Sequence, residues 1–140
     1  MYKFRFSRLM EVKEKLLEHK QRELETALAA VADLVSRARA IEGQIAEQYN
    51  DMVARCITGK EFSLLVGYLT YLDGKKATIE GLKDKADARV NLLRAKLSGL
   101  AIEVKMLEKL RSKDLREARK ADSRREQKMM DDLALRIEGK

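Results

Sequence analysis

The side chains that most often perform catalysis or bind metal ions are scarce in this sequence. Its 140 residues include one cysteine, Cys56, and one histidine, His19. A metal centre built on Cys and His needs several such ligands, and the sequence has only one of each. A catalytic Cys–His pair needs the two side chains close together, but Cys56 and His19 are far apart in the sequence. We therefore predict that the protein is not an enzyme and has no metal or cofactor. Cys56 then acts as a small apolar side chain and His19 as a surface residue.

Three tyrosines are better suited to binding another protein. Tyr49 precedes the dipeptide Thr58-Gly59, and Tyr68 and Tyr71 follow it. Tyrosine combines a large apolar ring with a hydroxyl group and is enriched among the residues that contribute most to protein–protein binding. Three rings near one turn exceed what a single partner helix can bury. We predict a protein-binding surface there, with packing inside the core as the alternative.

Positive charge is concentrated in two segments. Residues 1–22 carry seven basic and three acidic side chains, and residues 111–128 carry eight basic and four acidic ones, so each segment has a net charge of +4. Such segments suit nucleic acid, anionic lipid or an acidic protein pocket, and the alternative is a solvated helix. Acidic residues dilute the basic run, and residues 111–128 offer a membrane only one large apolar side chain, Leu115. We predict no nucleic-acid binding and no direct membrane insertion.

Signals for export or membrane anchoring are missing from the sequence. It contains no run of 18 apolar residues, and its first residues, MYKFRFSRLM, lack the hydrophobic centre of a signal peptide. We expect a cytoplasmic protein.

Apolar residues recur every seven positions along two stretches, which is the period of a left-handed coiled coil. One ladder precedes Thr58-Gly59 and the other follows it. Each has seven members: Met10, Leu17, Leu24, Val31, Ala38, Ile45 and Met52 in the first, and Leu65, Leu72, Ile79, Ala86, Leu93, Leu100 and Leu107 in the second. Equal ladders on either side of a turn-forming dipeptide indicate two helices folded back on each other.

The sequence therefore predicts an all-α fold, a long antiparallel two-helix coiled-coil hairpin in one domain over residues 1–140. We expect helix 1 at about 8–57, a turn at 58–61 and helix 2 at about 62–137. Glycines predict a kink or brief break in helix 2 near 67–74, where FSLLVGYLTY also has more apolar surface than one helix can cover. Beyond Arg111 helix 1 has no residues left to pair, so the C-terminal helix is predicted to be longer and to overhang.

Four segments of the sequence are more distinctive than generic heptads. They are FRFSRLMEVKE near the N-terminus, QYNDMV around Tyr49, the YxxYLxxxKxxI pattern from Tyr68 to Ile79, and the closing ADSRREQKMMDDLALR. The most specific is the E-Q-K-x-M/L-D-D/E block at residues 126–132. In order and spacing, over nearly the whole chain, these segments resemble the FliJ family, the small coiled-coil component of the bacterial flagellar type III export apparatus.

This resemblance implies a fold similar to the rotor shaft of F-type ATP synthase and a function without catalysis. It implies a stalk that inserts into the hexameric flagellar export ATPase, promotes ring assembly and activity, binds the membrane export-gate protein and interacts with flagellar export chaperones. It also implies a cytoplasmic location with peripheral association with the inner membrane at the flagellar basal body. The alternative is a generic coiled-coil adaptor or a nucleic-acid-binding helical hairpin.

The resemblance implies two sets of binding residues. Tyr49 and Tyr71 match aromatic gate-binding positions of the family, and Ile45 falls where the family can have tyrosine. Glu42 and Lys75 replace apolar residues of the same face. The predicted export-gate residues are Ile45, Tyr49, Tyr68 and Tyr71. The predicted ATPase-binding residues are Arg124, Arg125, Gln127, Lys128, Met130, Asp131 and Asp132.

Overall fold

The computed structural model describes residues 2–55 and 58–139. In these ranges the chain forms two α-helices, α1 (Ser7–Ala54) and α2 (Gly59–Glu138), and no strand. The helices pack against each other as a hairpin, which confirms the predicted all-α coiled-coil fold. Between them, Cys56 and Ile57 lie outside the described residues.

Both apolar ladders lie at the contact between the helices, which we call the seam. Every member of the two ladders is buried or half-buried. In α1 a second seam row runs from Lys13 through Ala27 and Ile41 to Gln48 at the same interval, and its members are also buried or half-buried. Because the seven-residue period keeps the same side of each helix turned toward its partner, the ladders predict the buried positions correctly.

The contacts divide the chain into two compact units, Lys20–Lys96 and Met1–His19 with Leu97–Lys140, and the single domain over residues 1–140 stays a prediction. The unit Lys20–Lys96 has two buried clusters. Ala27 packs with Val90 and Leu93, and Ile41 packs with Leu72 and Ile79. Since rising numbers in α1 meet falling numbers in α2, the helices are antiparallel there.

The helix bounds differ from those predicted at the turn. We expected helix 1 to reach residue 57 and helix 2 to begin at Phe62, but α1 ends at Ala54 and α2 begins at Gly59. The Thr58 hydroxyl accepts a hydrogen bond from the Glu61 N–H at 3.2 Å, and the Glu61 carboxylate accepts one from the Thr58 N–H at 3.4 Å. This reciprocal pair is a capping box, which satisfies N–H groups that a helix start leaves unbonded. It begins α2 inside the segment predicted as turn.

We predicted a kink or a brief break near 67–74. The break is absent, because α2 is an uninterrupted α-helix across Gly67 and Gly74, and the kink stays a prediction. Leu69 and Leu72, which lie between these glycines, are buried. Burying a leucine contributes about 1.5–3 kcal/mol. This exceeds the roughly 1 kcal/mol that each glycine costs a helix, so packing keeps the segment helical.

The N-terminal segment before α1 makes packing and hydrogen-bond contacts within the unit Met1–His19 with Leu97–Lys140. Phe4 is buried and meets the Phe6 ring edge-to-face at 5.9 Å, and the Tyr2 hydroxyl donates to the Arg111 carbonyl at 3.4 Å. Partial desolvation raises the pKa of Tyr2, and the nearby Asp114 carboxylate raises it further by a smaller amount. The positive charge of Arg111 acts in the opposite direction.

Half-buried side chains consequently continue along α2 past the predicted end of pairing at Arg111. Asp114, Leu115 and Ala118 are half-buried, and from Arg119 to residue 139 every side chain is exposed. The part of α2 without a partner therefore begins about two turns later than predicted, because the N-terminal segment supplies contacts that the ladders do not include.

Candidate binding surfaces

The described residues contain no group of three or more His, Cys, Asp or Glu side chains able to hold a metal ion. Cys56 lies outside them, and His19 is an exposed residue of α1. Many large apolar side chains are exposed along both helices, and these offer surfaces for the recognition of another molecule.

Tyr68 and Tyr71 form an aromatic surface near the start of α2. Their ring centroids are 6.4 Å apart, the planes differ by 25°, and the side chains are 42% and 61% exposed. They are therefore surface residues and not core residues. Other apolar side chains of the same segment are also exposed, which confirms that α1 does not cover its apolar surface: Phe62, Leu64 and Val66.

A groove runs along one flank of the hairpin, and the two tyrosines lie on this same flank. Gln44 of α1 and Lys75 of α2 line the groove together. Gln44 directly precedes the seam residue Ile45, and Lys75 directly precedes the half-buried Lys76. Tyr68 precedes the buried Leu69 in the same manner, seven residues before Lys75. Tyr68 and its neighbour Tyr71 therefore lie on the Gln44–Lys75 flank of the hairpin.

The two predicted gate-binding residues of α1 lie elsewhere. Tyr49 is 51% exposed, and its position four residues after the seam residue Ile45 places it on the opposite flank from Gln44. Ile45 itself is half-buried and packs against the cluster of Ile41, Leu72 and Ile79. The structure therefore brings Tyr68 and Tyr71 together but separates them from Tyr49, and it gives Ile45 a packing role.

All seven predicted ATPase-binding residues are exposed on the terminal part of α2, and they occupy different faces of it. Arg124, Gln127, Lys128 and Asp131 line one shallow depression. Met130 lies on another face, beside the apolar side chains Met129 and Leu133. Met129 and Leu133 are absent from the predicted set of ATPase-binding residues. The signal was present in the sequence, because Met129, Leu133 and Ile137 follow one another every four residues, which is the spacing of an apolar helix face.

Charged side chains on this part of α2 do not pair with one another. Among the described residues from 119 to 139, no acidic and basic side chains lie within ion-pair distance. The charges and the apolar face are thus both available to a partner that surrounds the helix.

None of the described helices is long and apolar enough to cross a membrane.

A family model described as "Flagellar FliJ protein" matches residues 2–138. The chain belongs to the FliJ family. No individual curated protein and no solved structure matches it. The resemblance carried by the four sequence segments is therefore confirmed over almost the whole chain.

Membership gives this FliJ-family chain a role connected with flagellar protein export, as a structural component of the export apparatus. The family match spans both candidate surfaces, the tyrosines near the turn and the exposed residues 121–136 of α2, which we call the closing block.

Proposed function

We propose that this FliJ-family protein is the stalk of the flagellar export ATPase. Its closing block inserts into the hexameric ATPase ring and promotes ring assembly and activity, and its tyrosine-bearing end binds the membrane export-gate protein. Export chaperones are further partners. The protein acts in the cytoplasm, peripherally associated with the inner membrane at the flagellar basal body.

The observation that carries the ATPase contact is the exposure of every side chain from Arg119 to residue 139. An isolated helix of this length is marginal in water, because too few hydrogen bonds offset the cost of starting it. A ring that encloses the helix would stabilise it on all sides. It would also meet both the polar face with Arg124 and Lys128 and the apolar face with Met129 and Leu133.

Truncation after Lys120 tests this contact. Residues up to Ala118 include the last half-buried side chains, so the shortened chain keeps every seam residue and should remain folded. We expect it to lose stimulation of ATP hydrolysis by the purified export ATPase. The assay is ATPase turnover against added full-length or truncated protein, with circular dichroism on both.

A charge reversal provides a subtler variant with a matched control. Arg124→Glu with Arg125→Glu should weaken stimulation, most strongly at low salt, if the ring presents carboxylates to this face. Arg89→Glu with Arg94→Glu changes the same number of exposed charges on α2 in the other unit and should leave stimulation unchanged. Full stimulation by the truncated chain would exclude an ATPase contact at the closing block.

The gate contact rests on the exposed, stacked Tyr68 and Tyr71. Truncating an aromatic side chain at the centre of an interface typically costs about 2 kcal/mol, roughly a 30-fold rise in Kd. We expect this loss for Tyr68→Ala and Tyr71→Ala in titrations against the soluble domain of the export-gate protein. Helicity should not change, because neither ring is buried.

The division between flanks makes Tyr49→Ala informative. A gate domain that contacts one flank should respond to Tyr49→Ala or to the Tyr68 and Tyr71 variants, while one that wraps the hairpin should respond to all three. Unchanged affinity for every variant would show that the tyrosines do not bind the gate.

A further inference from the structure

The unit Met1–His19 with Leu97–Lys140 carries an exposed apolar surface that neither the tyrosines nor the closing block includes. We call it the terminal patch. It has one row from each helix, spaced by three and then four residues in α1 and by four residues in α2. Its side chains are between 37% and 66% exposed: Leu9, Val12 and Leu16 from α1, and Ile102, Met106 and Leu110 from α2. Six large apolar side chains on one surface exceed the scattered single residues that are normal for a soluble surface.

An ion pair shows that the two rows are neighbours. Lys13 of α1 and Glu103 of α2 approach to 2.8 Å across the helices. Leu9 and Leu16 are the i−4 and i+3 neighbours of Lys13 on α1, and Met106 is the i+3 neighbour of Glu103 on α2. The two rows therefore lie side by side, with the ion pair between them, and form a shallow groove along two helices.

Cations border this groove on both outer sides. On α2, Lys105, Lys109 and Lys113 follow one another every four residues, and they line a common surface with Arg116, Ser112 and the carboxylate of Glu108. On α1, Arg8 and Lys15 lie beyond the apolar row. All five are exposed, and none has a described carboxylate within ion-pair distance, whereas Lys13 has one and Lys76 has two. The groove is thus apolar in the middle and has an excess of positive charge at both edges, with Glu108 as the carboxylate on the α2 edge.

We propose that the terminal patch is a docking groove for an amphipathic helix of another protein, whose apolar stripe is flanked by carboxylates on both sides. Two parallel rows on adjacent helices are the surface against which a third helix packs, with its apolar residues between the rows. Carboxylates on both flanks would meet the lysines of α2 and the basic residues of α1, which fixes the kind of helix accepted.

The charge pattern argues against other occupants. A second copy joined through the same patch would bring cationic edges against cationic edges. A lipid surface would have to take the Lys13–Glu103 ion pair into its apolar layer together with the six apolar side chains, which is costly. Nucleic acid would satisfy the cations but leave the apolar rows against phosphate and water.

A designed helical peptide of about three heptads, with leucine along one stripe and glutamate on both flanks, is a suitable probe. Its matched control is the same peptide with lysine in place of glutamate. Fluorescence anisotropy with the full-length protein should show binding of the glutamate peptide, at least tenfold tighter than the lysine peptide. The affinity should fall as salt is raised.

Substitutions on the protein locate the binding. Met106→Asp should weaken the glutamate peptide at least tenfold, while Leu92→Asp, at a similarly exposed leucine of α2 in the other unit, should not. Lys109→Glu with Lys113→Glu should weaken the glutamate peptide and strengthen the lysine peptide. Circular dichroism on each variant confirms that the helices remain folded.

Three outcomes would overturn the proposal. They are equal affinity for both peptides, equal losses from Met106→Asp and Leu92→Asp, and no change in peptide preference when Lys109 and Lys113 are reversed. Vesicles of phosphatidylglycerol serve as the competing probe. Vesicle binding that depends on Met106, with no peptide binding, would identify a membrane-contacting surface instead.

Discussion

Replacement of Leu72 by alanine should be among the most damaging single changes to this hairpin. Leu72 keeps 2% of its surface exposed and packs in the cluster with Ile41 and Ile79. Removing a buried leucine side chain loses its burial energy and leaves a cavity, which together cost about 2–5 kcal/mol. We take about 3 kcal/mol as the expected loss. For a chain of this size it corresponds to a fall in Tm of roughly 10 °C.

The assay is thermal and urea unfolding followed by circular dichroism at the helical minimum, with Leu92→Ala as the control. Leu92 lies on the same helix and in the same unit but is 56% exposed, so its replacement should cost about 0.5 kcal/mol or less. A neutral Leu72→Ala, or equal losses for the two variants, would refute the assignment of the seam.

Three smaller predictions concern the turn, the glycines and an ion pair between the helices. Thr58→Ala should cost about 1 kcal/mol, measured by the urea midpoint, because it removes half of the capping box. The control is Thr70→Ala, which removes an exposed hydroxyl bonded to the Val66 carbonyl and should cost nothing measurable. Gly74→Ala should raise stability by about 0.5–1 kcal/mol, because an added Cβ meets nothing within 4 Å in a continuous helix; a lower urea midpoint would mean that the helix bends there. Glu42→Gln should cost less than about 1 kcal/mol and reduce the salt dependence of unfolding, since it removes the 3.3 Å contact with the half-exposed Lys76.

The seam could be predicted from the sequence because burial in a coiled coil depends on one period, and both ladders keep it without interruption. The helix bounds at the turn could not be predicted from the ladders, because the start of α2 is set by the capping pair of Thr58 and Glu61. Neither of these residues is apolar, so neither belongs to a ladder. The signal was nevertheless present in the spacing of Thr58 and Glu61.

The sequence identified exposed residues of the predicted sites, but it did not predict how these residues are placed relative to one another. Tyr49 and Tyr71 are both exposed, as expected, but distance along the chain does not tell which flank of a hairpin a residue occupies. That requires its offset from the nearest seam residue. The terminal patch was missed for a related reason, because charge counted by segment hides the separation of cations and apolar side chains around a helix. The contact of Tyr2 with Arg111 follows no period at all.

The central claim is that this FliJ-family chain supports flagellar export through the exposed closing block of α2. The most direct test is secretion of flagellar subunits by cells in which its gene is deleted and then restored as the full-length chain or as residues 1–120. We predict that deletion lowers secretion and motility, that the full-length chain restores both, and that the truncated chain accumulates normally but restores neither. Normal secretion in the deleted strain, or full restoration by the truncated chain, would contradict the account.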